Sequence, residues 1–333
     1  MMKPLTTLTL KNLLTAFAVF ALVGSGSALA ATKELRLGGV HSPASFETKG
    51  LEQFAKLAAE KSGGTLKVNL FPAGQLGDAV SMIENVMMGA LDMFANVADW
   101  NQNVVKDYGI MAMPFAFRDQ AHMTKFLSSD VYAAMKKEML EKKKLRVVAD
   151  NWYRVPRVLV TKFPVASLKD LDGKKFRLAN IKAYVETWKA LGMKATILPW
   201  AESYLALKTG VVDGMDSPFS SVFSEKFYQA APHITMTNHS IAPFNILMSN
   251  VVFQKLTPAQ QEALTSAGRE AGEFYTKSIE SQLAAHKAKM TEEGAKIANI
   301  DVKPFVDKAR GVAQKLEKDG DWTPGLFDKV SKL

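Results

Sequence analysis

Two arginines stand where apolar side chains are expected. Arg157 and Arg177 each lie inside a short strand-like segment, residues 157–160 and 175–178. A guanidinium is a planar fork of donors that matches a carboxylate two bonds at a time. Two of them converging on one cleft would hold an organic anion. The plainer account is a solvated strand residue in each case, and composition alone favours it, since Arg is mostly exposed in folded proteins. Trp200 follows Pro199 at the head of a helix. It offers a ring to a ligand or a wedge between elements, although packing is the usual role of Trp. Residues 213–218 (DGMDSP) read as a tight turn after a strand, which would by itself account for them.

Other chemistry is missing. The chain has no Cys, so it forms no disulfide, thiolate metal site or Cys nucleophile. Its five His, at 41, 122, 233, 239 and 286, are scattered and form no H-E-x-x-H. There is no G-x-S-x-G elbow and no G-x-G-x-x-G or Walker loop. Ser42 beside His41 is a thin lead toward a triad. The expectation is therefore no enzyme, no metal and no cofactor, with a secreted hydrolase as the lesser alternative.

The elements that would carry the arginines form a pattern. From Ser167 to Pro218 the chain reads strand (175–178), amphipathic helix, strand (195–198), Pro-Trp corner, helix, strand (211–213). That β-α-β-α-β order with short polar connections signals a parallel α/β domain, in which ligands sit at the carboxyl ends of strands. Upstream, residues 34–39, 50–61 and 66–70 make a βαβ unit and hence a parallel pair. Asp78 offers an N-cap for a helix over 79–88 that Gly89 ends, and a strand follows over 91–96. Residues 110–117 read as a strand ending or a packed loop. Helices are expected over 120–127 and 131–140, and a strand over 145–149. A boundary falls near Pro156. Further on, a helix is expected over 220–230, strands over 245–250 and 297–302, and a last helix over 304–318. Between these, Thr257, Pro258 and Gln260 open a helical pattern of 37 residues that Gly268 and Gly272 would bend or break.

The first 30 residues read as an export signal and not as part of the fold. Lys3 and Lys11 form a positive start without acids, residues 13–23 are apolar but too few to span a bilayer, and Ala28-Leu29-Ala30 is a cleavage site. Cleavage near Ala30/Ala31 would leave 40 basic against 33 acidic side chains. Export makes nucleic acid an unsuitable partner for that basic balance and leaves anionic ligands.

The stretches DLDGKKFRLAN (170–180) and WKALGMKATILPWAESYLALKTGVVDGMDSP (188–218) resemble the signature of the DctP-type solute-binding proteins of tripartite ATP-independent periplasmic (TRAP) transporters. LFPAGQLGD (70–78), GALDM (89–93) and FYQAAPHITMTNH (227–239) agree, so the resemblance covers essentially the whole mature chain. It implies an α/β, two-lobe periplasmic-binding-protein fold with hinge strands and a long helix spanning both lobes. Lobe I would hold residues 31–154 and about 243–282, and lobe II residues 155–242 and about 283–333. It implies a periplasmic, monomeric protein that closes like a clamshell on a small organic acid and delivers it to the permease subunits. The alternative is a binding protein of an ATP-driven transporter or a sensor.

Family roles carry over onto particular residues. Arg177 matches the arginine that pairs with the ligand carboxylate. Arg157 matches a second ligand arginine, with Arg154 a competitor for that place. Asn180 and Trp200 match ligand-contacting positions, and Ser217 stands where many members carry Asn. Val40 and Val97 occupy positions that are polar in sialic-acid-binding members, and Trp100 one where those have Arg. Tyr153 and Trp152 lie beside the hinge. A wall of Val, Trp and Tyr has few partners for a polyhydroxylated sugar acid, so the expected ligand is a small carboxylate with an apolar or aromatic part.

Overall fold

The computed structural model describes residues 32–333, and the expected export signal lies outside them. Among the described residues eleven strands form two sheets. The first contains β1 (Lys33–Gly39), β2 (Leu66–Phe71), β3 (Met93–Val97), β4 (Leu145–Trp152) and β10 (Phe244–Ser249), in the order β2-β1-β3-β10-β4. The second contains β5 (Arg157–Thr161), β6 (Lys175–Leu178), β7 (Lys194–Ile197), β8 (Gly214–Pro218), β9 (His233–Met236) and β11 (Lys296–Asn299), in the order β11-β9-β5-β8-β6-β7. The expected parallel pair β1–β2 forms, as do β1–β3, β6–β7 and β6–β8. β10 runs antiparallel between β3 and β4. The chain thus crosses from the first sheet to the second after β4 and returns after β9 to insert β10. The α/β expectation holds.

Local chemistry sets the helix ends. The Ser45 hydroxyl caps helix Phe46–Lys61 by accepting from Thr48 N, so that helix starts four residues before the apolar spacing announces it. Asp78 caps helix Ala79–Met88 through Ser81 N at 2.8 Å, and Gly89 closes it in the left-handed region at φ 74°. The capping box of the long helix forms in both directions, Thr257 N to Gln260 Oε1 at 3.0 Å and Gln260 N to Thr257 Oγ1 at 3.3 Å.

Helix Pro258–Glu292 then runs 35 residues without a break, about 52 Å at 1.5 Å per residue. Gly268 and Gly272 do not interrupt it; they let it approach β4. A Cβ on Gly268 would lie 2.8 Å from Ala149 Cβ, and one on Gly272 2.5 Å from Trp152 Cδ1. Trp152 Nε1 donates to Gly268 O at 2.9 Å across that contact. The helix packs on helix Phe46–Lys61 and β4, and also on helix Phe219–Ser224 beside the second sheet.

Three local expectations change. The expected strand over 211–213 does not form, and the expected turn at 213–218 is β8 instead, buried throughout and hydrogen-bonded on both sides, to β5 and to β6. Its small and polar residues suit a crowded central strand: a Cβ on Gly214 would come within 2.7 Å of Phe176 Cζ and 2.8 Å of Thr161 Cγ2. The single helix over 220–230 is two, Phe219–Ser224 and Phe227–Ala230, separated where Lys226 takes φ 58°. Residues 110–117 begin as helix Gly109–Ala112 rather than as a strand.

Candidate functional site

A cavity of about 460 Å³ lies between the two sheets. Its walls come from the carboxyl ends of parallel strands, as expected for this class. Val40 and His41 follow β1, Asp99 and Trp100 follow β3, Asn180 follows β6, and Trp200 follows β7. Arg154 enters from the crossing segment, and Arg157 and Arg177 from β5 and β6.

Of the eight residues named from sequence, Val97, Trp100, Arg157, Arg177, Asn180 and Trp200 line this cavity. Ser217 and Tyr153 do not. Ser217 sits on β8 next to Asp216, whose carboxylate reaches Arg157. Successive strand residues face opposite sides, so Ser217 turns away, and its hydroxyl donates to Pro218 O at 3.1 Å. Tyr153 lies against the long helix, its backbone N donating to Thr276 Oγ1 at 3.3 Å.

The three arginines are not equivalent. Arg154 is buried and donates from Nη2 to Glu47 Oε1 at 2.9 Å and from Nε at 3.2 Å. Arg157 donates from Nε to Asp216 Oδ2 and from Nη2 to Asp216 O at 2.9 Å, and Tyr184 offers its ring face 5.5 Å away. Arg177 is 3% exposed. Its Nε donates to Leu198 O at 3.0 Å and its guanidinium lies 5.6 Å from the Trp200 ring. Among the described residues no carboxylate lies within 4.0 Å of it. Burial therefore pulls its pKa down to about 10, against partial support from Asp216. Arg154 and Arg157 are neutralised by protein acids; Arg177 is a desolvated cation facing an open cavity.

Other polar groups here were not singled out from sequence. Asp216 is buried, which alone would raise its pKa, but Arg157 and His239 hold it well below the usual carboxylate range. His41 is 4% exposed, and burial lowers its pKa to about 4 although Glu47 opposes this. Asp99 is also 4% exposed; burial raises it to about 6 while Arg157 and Arg154 pull back. Among buried side-chain atoms, Asp99 Oδ1, Asn96 Nδ2 and His41 Nδ1 have no hydrogen-bond partner among the described residues. The signal that could have found Asp99 is its place just past β3, at the same end of the sheet as Val40 and His41. Among the described residues no cluster of His, Asp and Glu could hold a metal.

The arrangement can bind an anion at Arg177. Compared with known proteins, residues 37–319 match the model of "Bacterial extracellular solute-binding protein, family 7". The chain is 29% identical over 320 residues to the sialic acid-binding periplasmic protein SiaP of Vibrio cholerae, covering 95% of this chain and 96% of that one. It is 30% identical over 301 residues to the 2,3-diketo-L-gulonate-binding periplasmic protein YiaO of Escherichia coli K12, covering 90% and 91%. Among solved structures, a TRAP periplasmic solute-binding protein from Sulfitobacter sp. NAS-14.1 with bound β-D-galacturonate superposes with a TM-score of 0.83. It shares 27% identity, with 90% of this chain and 98% of that one covered.

Proposed function

The chain belongs to family 7 of the bacterial extracellular solute-binding proteins, and from that premise we propose that it captures a small organic acid in the periplasm and hands it to the membrane subunits of a TRAP transporter. Relatives bind sialic acid, 2,3-diketo-L-gulonate and galacturonate, each an acid. One observation in this chain carries the reading: Arg177 is the cavity arginine without an acidic partner. A buried charge without a counter-ion is costly, and a ligand carboxylate arriving in two parallel bonds supplies it. Asn180, Trp200 and Arg157 then bound the carboxylate pocket, while Val40, Val97, Val80 and Trp100 give it an apolar side. The protein delivers its ligand unchanged and acts as a monomer.

The lobes follow the sheets, residues 31–154 with about 243–282 against 155–242 with about 283–333. The last residues tie the two together: Lys182 Nζ donates to Asp321 Oδ1 at 2.7 Å, and Thr323 Oγ1 to Asp107 Oδ2 at 2.8 Å. Ligand contacts to both lobes favour the closed form by differential affinity.

Replacing Arg177 tests the reading. Arg177→Ala and Arg177→Lys both lose the bidentate pair, so calorimetric affinity for the acid found in a thermal-shift screen should fall by about 2–3 kcal/mol, roughly 30- to 150-fold. Affinity unchanged in Arg177→Ala would remove this residue, and the carboxylate site built on it, from the ligand.

A further inference from the structure

We propose that Asp99 is a specificity-determining residue that accepts a hydrogen bond from an O–H or N–H group of the ligand, so that the acid taken carries a hydroxyl or amino substituent at the end opposite its carboxylate. The inference rests on the reading of Arg177 as the carboxylate partner.

Asp99 lines the cavity, is 4% exposed, and keeps Oδ1 without a hydrogen-bond partner among the described residues. The other two deeply buried carboxylates nearby each have a charged partner and do not line the cavity: Glu47 meets Arg154 through Oε1, its Oε2 staying unpartnered, and Asp216 meets Arg157 and His239. Among the described residues no basic nitrogen lies within 4.0 Å of the Asp99 carboxylate. Among the buried charged side chains that line the cavity, one cation and one carboxyl group remain without an ionic partner, on opposite sheets. Arg177 belongs to β6 of the second, and Asp99 follows β3 of the first.

That leftover pair gives the cavity a direction. A buried carboxylate with an unfilled lone pair is costly and is relieved only by a donor. Arg157 and Arg154 are near enough to favour its charged form, but burial lifts its pKa to about 6, so their help is incomplete. A ligand that placed a second carboxylate there would meet like charge. Oδ1 is already cut off from water, and a plain hydrocarbon end would leave it without a donor. A hydroxyl or ammonium satisfies it, and Asn96 Nδ2, also unpartnered, can donate to the same hydroxyl. Val40, Val80 and Val97 accommodate the carbon skeleton between the two ends.

The test uses matched straight-chain acids of about four to seven carbons whose far end is a methyl, a hydroxyl or an ammonium. Each is titrated calorimetrically into the mature protein, Asp99→Leu, Asp99→Asn and Arg177→Ala. For at least one chain length, wild type should favour a donor-ended acid over its methyl counterpart about tenfold or more. In Asp99→Leu that preference should vanish or invert while the methyl acid still binds. Asp99→Asn keeps an acceptor oxygen without charge. It should retain most affinity for a hydroxyl-ended acid and lose it for an ammonium-ended one, which tells the two sources apart. A wild type that binds no donor-ended acid better than its methyl partner overturns the proposal, as does a preference kept in both Asp99 variants. Arg177→Ala separates the premise: if every acid binds it as well as wild type, the carboxylate site has failed rather than the role of Asp99.

Discussion

His41 sits where protonation is costly. It is buried in the cavity wall, 3.9 Å from Glu47 and 3.5 Å from Arg154, and burial lowers its pKa to about 4. In the unfolded chain an imidazole titrates near 6.5. Between these values the unfolded state binds a proton that the folded state refuses. The contribution of His41 is therefore complete above about pH 6.5 and lost as pH falls through 4. Asp99 runs the other way: its carboxyl, held at about 6, adds stability at low pH that is lost as pH rises through that value. The whole-protein curve mixes the two, so the useful measurement is a difference. Urea unfolding of ligand-free wild type and His41→Gln across pH 4–7.5 should show the variant's deficit shrinking toward acid. A deficit constant over that range would mean that His41 is not held neutral.

The same scale explains what the chain's letters gave away. Arg177 in an apolar strand was visible, but composition alone pointed to a solvated residue. What distinguishes it from Arg157 is the carboxylate of Asp216, 59 positions away in the chain and adjacent only because β8 pairs with β5. Asp99 carries no local signal of this kind. Its lack of a partner is a property of the folded cavity.

At the scale of elements, the long helix was legible because its signals are local: Thr257, Pro258 and Gln260 act within one turn. β8 was misread because Gly, Asp, Ser and Pro are turn residues by local preference, and a central position between β5 and β6 overrode that preference. Glycines make the same contrast testable. Gly311 lies on the exposed side of helix Lys303–Lys318, and a Cβ there meets nothing within 4 Å. Gly311→Ala should stabilise the protein by about 0.5–1 kcal/mol, the helix-propensity gain alone. Gly272→Ala receives that gain too, but its Cβ would fall 2.5 Å from Trp152 Cδ1 and 2.7 Å from Asn151 Oδ1. Overpacking of this kind costs about 1–3 kcal/mol, so the net effect should be destabilising. Thermal or denaturant unfolding of the two variants checks the signs, and a stabilising Gly272→Ala would mean that helix and β4 separate without cost.

For the whole molecule the question is what holds the two halves around a ligand. Beyond the crossing segments, Glu225 links the two halves. Its Oε1 accepts from the backbone N of Ser42, after β1, at 3.2 Å, and from Trp200 Nε1, after β7, at 3.5 Å. His41 and Trp200 add a ring contact at 5.4 Å across the same seam. Glu225 does not line the cavity, so its bonds belong to the closed arrangement and not to ligand recognition. Such a contact shifts the equilibrium between open and closed forms and so scales the affinity of every ligand by one factor. Glu225→Ala should therefore weaken binding of different acids by the same amount, about 0.5–1.5 kcal/mol for a partly exposed hydrogen bond. The ratio of affinities between two acids should stay as in wild type, whereas Asp99→Leu changes that ratio. Calorimetry with two acids on both variants distinguishes closure from recognition. A ratio that moves in Glu225→Ala would place Glu225 among the groups that select the ligand.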